Sequence, residues 1–106
     1  EYAVKQNIKK AEELAVQLWS WGWVALCPHL NTQFFGGAYG LPDEVWLKGD
    51  IVIEKRCDLV VVEVAWRGST GTKQEIEIAE ENNIPVFYMD KFLDVEFLRN
   101  FYKEDY

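Results

Sequence analysis

The chain has 106 residues, 49% hydrophobic and 27% charged, which suits one compact domain over 1–106 and leaves no room for a second core or for a disordered chain. Eleven basic against eighteen acidic residues give a net charge of -7, so a phosphate backbone is repelled over most of the surface and nucleic acid is not an expected partner. No charge occurs from Leu14 to Pro42, but Gln17, Ser20, Pro28, His29, Asn31, Thr32 and Gln33 interrupt that stretch; with no bilayer-spanning run and no leader pattern, the expectation is a soluble protein without a membrane partner.

From Val4 the apolar residues recur at Ile8, Ala11, Ala15 and Leu18, the spacing of one helix face, and Gly22 ends the helix. Trp23 to Cys27, closed by Pro28, reads as a short buried strand. Asn31 to Leu41 is a long loop with three glycines and the aromatic Phe34, Phe35 and Tyr39. Pro42-Asp43-Glu44 has the chemistry of a helix first turn, with Val45, Trp46, Ile51 and Val52 as its buried side and Gly49 weakening it.

Leu59 to Val64 is nearly continuous in branched aliphatics, the pattern of a central parallel strand covered on both faces. Arg67 to Thr70 is a turn. Residues 71 to 82 read as a helix in which Thr72 and Glu75 can form a capping box. Ile84 to Tyr88 is a further strand. Asp90 then caps a last helix with Leu93, Phe97 and Phe101 at steps of four.

Helices alternating with strands call for a doubly wound parallel sheet with helices on both faces, a three-layer Rossmann or flavodoxin-like α/β fold. Such folds open on a strand, and here a helix comes first, so the first strand is expected to be missing from this sequence. Ligands of open α/β sheets bind beyond the carboxyl ends of the strands, which points to the loops after Cys27, after Val64 and near Asp90.

Cys27 and Cys57 have neither the spacing nor the partners of a metal or redox site and read as buried thiols in a reducing, cytoplasmic protein. A single histidine removes any multi-histidine metal centre, and no cofactor is expected. The loop Trp66-Arg67-Gly68-Ser69-Thr70-Gly71-Thr72-Lys73-Gln74-Glu75 has glycines that let a ligand approach backbone, and a helix start whose N–H groups suit an anion. It is neither a P-loop nor a full dinucleotide-binding pattern. Glu75 is either a helix-capping glutamate or a carboxylate facing the cleft as a nucleophile, roles that exclude each other.

Ser69-x-Gly71-x-x-x-Glu75-x-x-x-Ala79 after a cysteine-aspartate-aliphatic strand, with Cys27-Pro28-His29-Leu30-Asn31-Thr32 after the preceding strand, resembles the nucleoside 2-deoxyribosyltransferase-like superfamily, over about Asn7 to Met89. It looks closest to the small phage and bacterial members. The resemblance implies cleavage or transfer at the N-glycosidic bond of a deoxynucleoside or its 5'-monophosphate, with Glu75 attacking the anomeric carbon and Asp50 interacting with the base. Asp50 can equally be a solvated residue in mid-helix. Ser69 stands where the nucleoside transferases have aspartate and nucleotide-cleaving relatives have serine; it either donates to a 5'-phosphate or merely caps the helix. Gly71, His29 and Trp66 complete the implied substrate contacts, although His29 can also serve only to fix its loop and the aromatic residues can pack or lie at a subunit interface. The resemblance further implies a homo-oligomer. Its glycine-proline turn after a first strand has no match here, and a noncatalytic nucleotide-binding or interaction module on the same fold is the rival reading.

Overall fold

A computed structural model describes residues 2–28 and 40–101. Helix α1 covers Tyr2–Ser20, α2 Asp43–Glu54 and strand β1 Val60–Val62; a single 3-10 turn at Trp66–Gly68 leads into α3 at Thr70–Glu81, and β2 at Val86–Tyr88 precedes α4 at Phe92–Asn100. The strands pair in parallel, with Val60, Val61 and Val62 opposite Val86, Phe87 and Tyr88.

The first three helices are stopped or started by specific backbone chemistry. Gly22, at φ 96°, ends α1: its own N–H reaches the Trp19 carbonyl and the Trp23 N–H reaches Leu18, closing a Schellman motif. Asn83 does the same for α3 at φ 58°, with the Ile84 N–H donating to Ala79. Pro42 precedes α2 in the extended conformation, and Ser69 caps α3 by accepting from the Thr72 N–H.

The core is formed by Leu18, Val62, Ile76, Ala79, Ile84 and Leu98, with Ala79 and Leu98 fully enclosed. Helix α3 contacts both strands and packs against α2. An aromatic cluster extends the core on the α4 side: Trp23 stacks on Phe101 at 4.6 Å, Phe87 stacks on Phe97 at 4.7 Å, and the Trp23 indole donates to the Leu98 carbonyl.

The doubly wound, three-layer sheet is overturned. Among the described residues the sheet has two strands, and the arrangement is a small mixed α/β one built on a single parallel pair. Trp23 to Cys27, expected as a buried strand, forms none. Its polar contacts run to helices instead: the Trp23 N–H returns to Leu18, the Trp19 indole bonds the Ala25 carbonyl, and the Trp23 side chain reaches α4. Val24 and Leu26 are exposed, so no layer covers this segment on both faces. Leu59 to Val64 shortens to the three residues of β1, which is not a central strand.

Helix faces differ from expectation as well. Val45 and Val52 are exposed on α2, where the buried side chain is Glu54, and Leu93 on α4 is exposed while Leu98 is enclosed. Lys91, not Asp90, stands at the N-cap of α4, and the Asp90 carboxylate pairs with Arg67 at 2.8 Å. Both cysteines are thiols. No described helix is long and apolar enough to cross a membrane.

Leu98→Ala should lower the unfolding free energy by about 2–5 kcal/mol, whereas Leu93→Ala, expected from spacing to matter as much, should change it by no more than ~0.5 kcal/mol. Urea denaturation of the two variants checks the assignment. Equal losses would place the α4 core face wrongly.

Candidate functional site

Ser69 sets the geometry of the site by fixing where α3 starts. Its hydroxyl oxygen accepts from the Thr72 N–H at 3.2 Å and from the Thr72 hydroxyl at 3.0 Å, so Thr72 is the third helical residue rather than the cap. Glu75 is therefore the sixth, well past the position of a capping-box glutamate, and the Thr72–Glu75 box has no helix start to serve.

Ile76 and Ala79 bury the sheet-facing stripe of α3, and Glu75 stands half-buried on its flank. Gly71 precedes Glu75 by one turn on the same side of α3. Gly71 is exposed, and a Cβ there would meet nothing within 4 Å. The turn above Glu75 is accordingly open.

From the other side comes α2. Glu54, its last residue, is 9% exposed, with Oε2 buried and without a hydrogen-bond partner. Burial, and then the charge of Glu75, push its carboxyl up from 4.5 to about 7. Asp50 lies half-buried one turn earlier on the same side of α2. Cys57 follows, its thiol donating to the Ile53 carbonyl and pushed up by burial first and by the charge of Glu54 second. Helices α2 and α3 are in contact, the charge of Glu75 reaches Glu54 across them, and Asp50 lies on the Glu54 side of α2.

Trp66 is placed otherwise than a stacking platform would be. Its ring lies 5.3 Å from Tyr88 and carries the Arg67 guanidinium at 4.6 Å, so these contacts already engage it. Arg67 also ties the loop after β1 to Asp90 after β2. Its hydrogen bond, and then its charge, hold the Asp90 carboxyl below the usual range. His29, Phe34, Phe35 and Tyr39 lie outside the described residues.

A cavity of about 640 Å³ does open beyond the carboxyl ends of the strands, between α1 and the loops at Glu63–Ala65 and Met89. A second, of about 340 Å³, lies between α1 and Ala25–Cys27. Neither is lined by Glu75, Asp50, Ser69, Gly71 or Trp66. No cluster of metal-ligating side chains occurs among the described residues.

Glu54 carries no distinguishing signal in the sequence, where Lys55 and Arg56 follow it and favour a helix C-terminus.

The chain belongs to the family described as Domain of unknown function (DUF7768), whose model matches residues 1–89. That span contains α1, α2, α3, both strands and the Glu54–Glu75 pair. No curated protein and no solved structure matches the chain.

Between pH 4.5 and 7 the folded chain keeps a proton on Glu54 that the unfolded chain has released. Its contribution is complete below 4.5 and is lost as pH rises through 7. Glu54→Gln should remove a slope of up to roughly 1.4 kcal/mol per pH unit from the unfolding free energy in that window, measured by denaturation at a series of pH values. An unchanged slope would mean that Glu54 titrates normally.

Proposed function

We propose that the chain cleaves or transfers at the N-glycosidic bond of a 2'-deoxynucleoside or deoxynucleoside 5'-monophosphate, with Glu75 as nucleophile. The observation that carries this reading is the position of Glu75: half-buried, sixth in α3 rather than at its cap, and one turn after an exposed Gly71. A Glu75 oxygen bonds to the anomeric carbon as the carbon–nitrogen bond breaks, the electron pair of that bond leaves with the base, and a proton from solvent, relayed with the help of Asp50, neutralises the base. Water or another base then displaces the sugar from the glutamyl ester. Asp50 is assigned to the base, Ser69 and Gly71 to the sugar or phosphate, and His29 and Trp66 to the remaining contacts. The superfamily resemblance supports these roles.

In this reading the substrate needs no cofactor, the two thiols suit a cytoplasmic protein, and a homo-oligomer covers exposed apolar residues such as Val64, Phe92 and Leu93. A noncatalytic nucleotide-binding or interaction module is the second reading. It is favoured by the cavity at the strand ends, which Glu75 does not line.

Glu75→Gln should keep the fold and lower turnover by several orders of magnitude, because an amide cannot form the glycosyl ester. Release of free base from deoxynucleosides and their monophosphates, followed by chromatography, measures it. Full activity in that variant would end the mechanism. Ser69→Asp retains a competent helix cap while placing a carboxylate beside the helix start, and should shift preference from monophosphates to nucleosides. Unchanged preference would remove Ser69 from the site.

A further inference from the structure

The two edges of the parallel pair are treated differently. The Val60 N–H donates to the Pro85 carbonyl and the Val62 carbonyl accepts from the Met89 N–H, so these residues of β1 face β2. The alternation of a parallel ladder then turns the N–H and C=O of Val61 to the opposite edge. On β2 the outward groups of Tyr88 are both taken: its N–H donates to the Asp94 carboxylate of α4 at 2.8 Å, and its carbonyl accepts from the Lys91 N–H. That edge is closed to a further strand. Val61, half-buried, has no such cap among the described residues.

The space near the open edge is apolar and walled by α1. The cavity of about 640 Å³ reaches Glu63 directly after β1, and the one of about 340 Å³ reaches Ala25–Cys27; Val16 lines each. Val16, Val24 and Leu26 are exposed there. An apolar cavity alone does not name its occupant, but a strand edge does, because its outward N–H and C=O groups match the main chain of an extended peptide. Side chains of such a peptide alternate between faces, so every second one can meet α1. Charge adds a polarity: Glu13 and Glu63 outnumber Lys10 around the larger cavity of a chain whose net charge is -7, which suits a basic residue on the peptide.

We propose that the outer edge of β1 is a peptide-docking site: an extended segment of another protein, alternating apolar and polar residues with a basic residue at one end, adds to β1 as a further strand. Its apolar face lies on Leu14 and Val16 of α1, and its basic end lies beside Glu13 and Glu63. Glu75, Asp50 and Ser69 take no part, so the proposal stands or falls apart from the glycosidic reading.

The probe is a fluorescently labelled synthetic peptide of about seven residues, alternating valine and threonine between terminal lysines, the length of an ordinary strand. Anisotropy with the whole chain should show saturable binding, weakened several-fold by Glu63→Lys and by added salt. Methylating one alternating set of the peptide's backbone nitrogens should abolish binding, and methylating the other set should spare it, because only one set donates to β1. Amide hydrogen exchange should slow at Val61 on saturation and stay unchanged at Tyr88. Absence of binding, equal binding of the two methylated peptides, or a Val61 amide no slower at saturation would overturn the proposal. A Val61 amide already protected in dilute protein would mean that the chain fills the edge itself, and protection that grows with protein concentration would assign it to a second copy; either result overturns the proposal too.

Discussion

Everything in this molecule depends on how α3 lies on the parallel pair of β1 and β2. Ala79 is fully enclosed there, and its small side chain permits close approach of helix to sheet, while Ile76 fills the adjacent space against the same layer. The helix cannot rotate without exposing both. Its ends are fixed as well, by the Ser69 hydroxyl at one and by Asn83 in the left-handed region at the other. With rotation and register set, Glu75 has one place to be, on the flank that meets α2. The reactivity proposed for it follows from packing that involves no charge at all.

Against that packed frame, the pairing of Glu54 with Glu75 is a local cost. The chain already carries more acids than bases, and here two acids are brought together with one of them buried and lacking a hydrogen bond on Oε2. Conflicts of this kind concentrate where proteins perform chemistry, since a shifted carboxyl is what proton handling near neutral pH requires. The Arg67–Asp90 pair makes a useful contrast. It sits at the loops after β1 and β2, on the surface, and its effect is to tie those two loops together rather than to store a proton.

Helices were legible from the sequence because their signals are local. Gly22, Pro42 and the branched runs at Val60 and Val86 announced themselves through backbone and side-chain properties that need no partner. The sheet was not legible, since strand order is a property of pairing. Trp23 to Cys27 has strand composition, yet the Trp19 indole of α1 donates to the Ala25 carbonyl and the Trp23 indole donates to the Leu98 carbonyl of α4, which hold the segment to those helices. For the same reason the face of α4 was misjudged: steps of four through Leu93, Phe97 and Phe101 describe a stripe, but the deepest contact is made by Leu98, where Trp23 arrives from a distant part of the chain. At the site, Ser69, Gly71 and Glu75 were named through a family resemblance, whereas Glu54 became visible only when α2 was set against α3.

Membership in a family of unknown function leaves the chemistry to be decided by the residues themselves, and one measurement does so directly. The whole chain, incubated with a 2'-deoxynucleoside or its 5'-monophosphate and quenched in acid, should yield on proteolysis and mass spectrometry a peptide containing Glu75 heavier by one deoxyribosyl or deoxyribosyl-phosphate group. The same peptide from Glu75→Gln should be unmodified. An unmodified Glu75 peptide in the wild type, with no base released from any of the nucleosides or nucleotides, would contradict the nucleophile and with it the glycosidic reading.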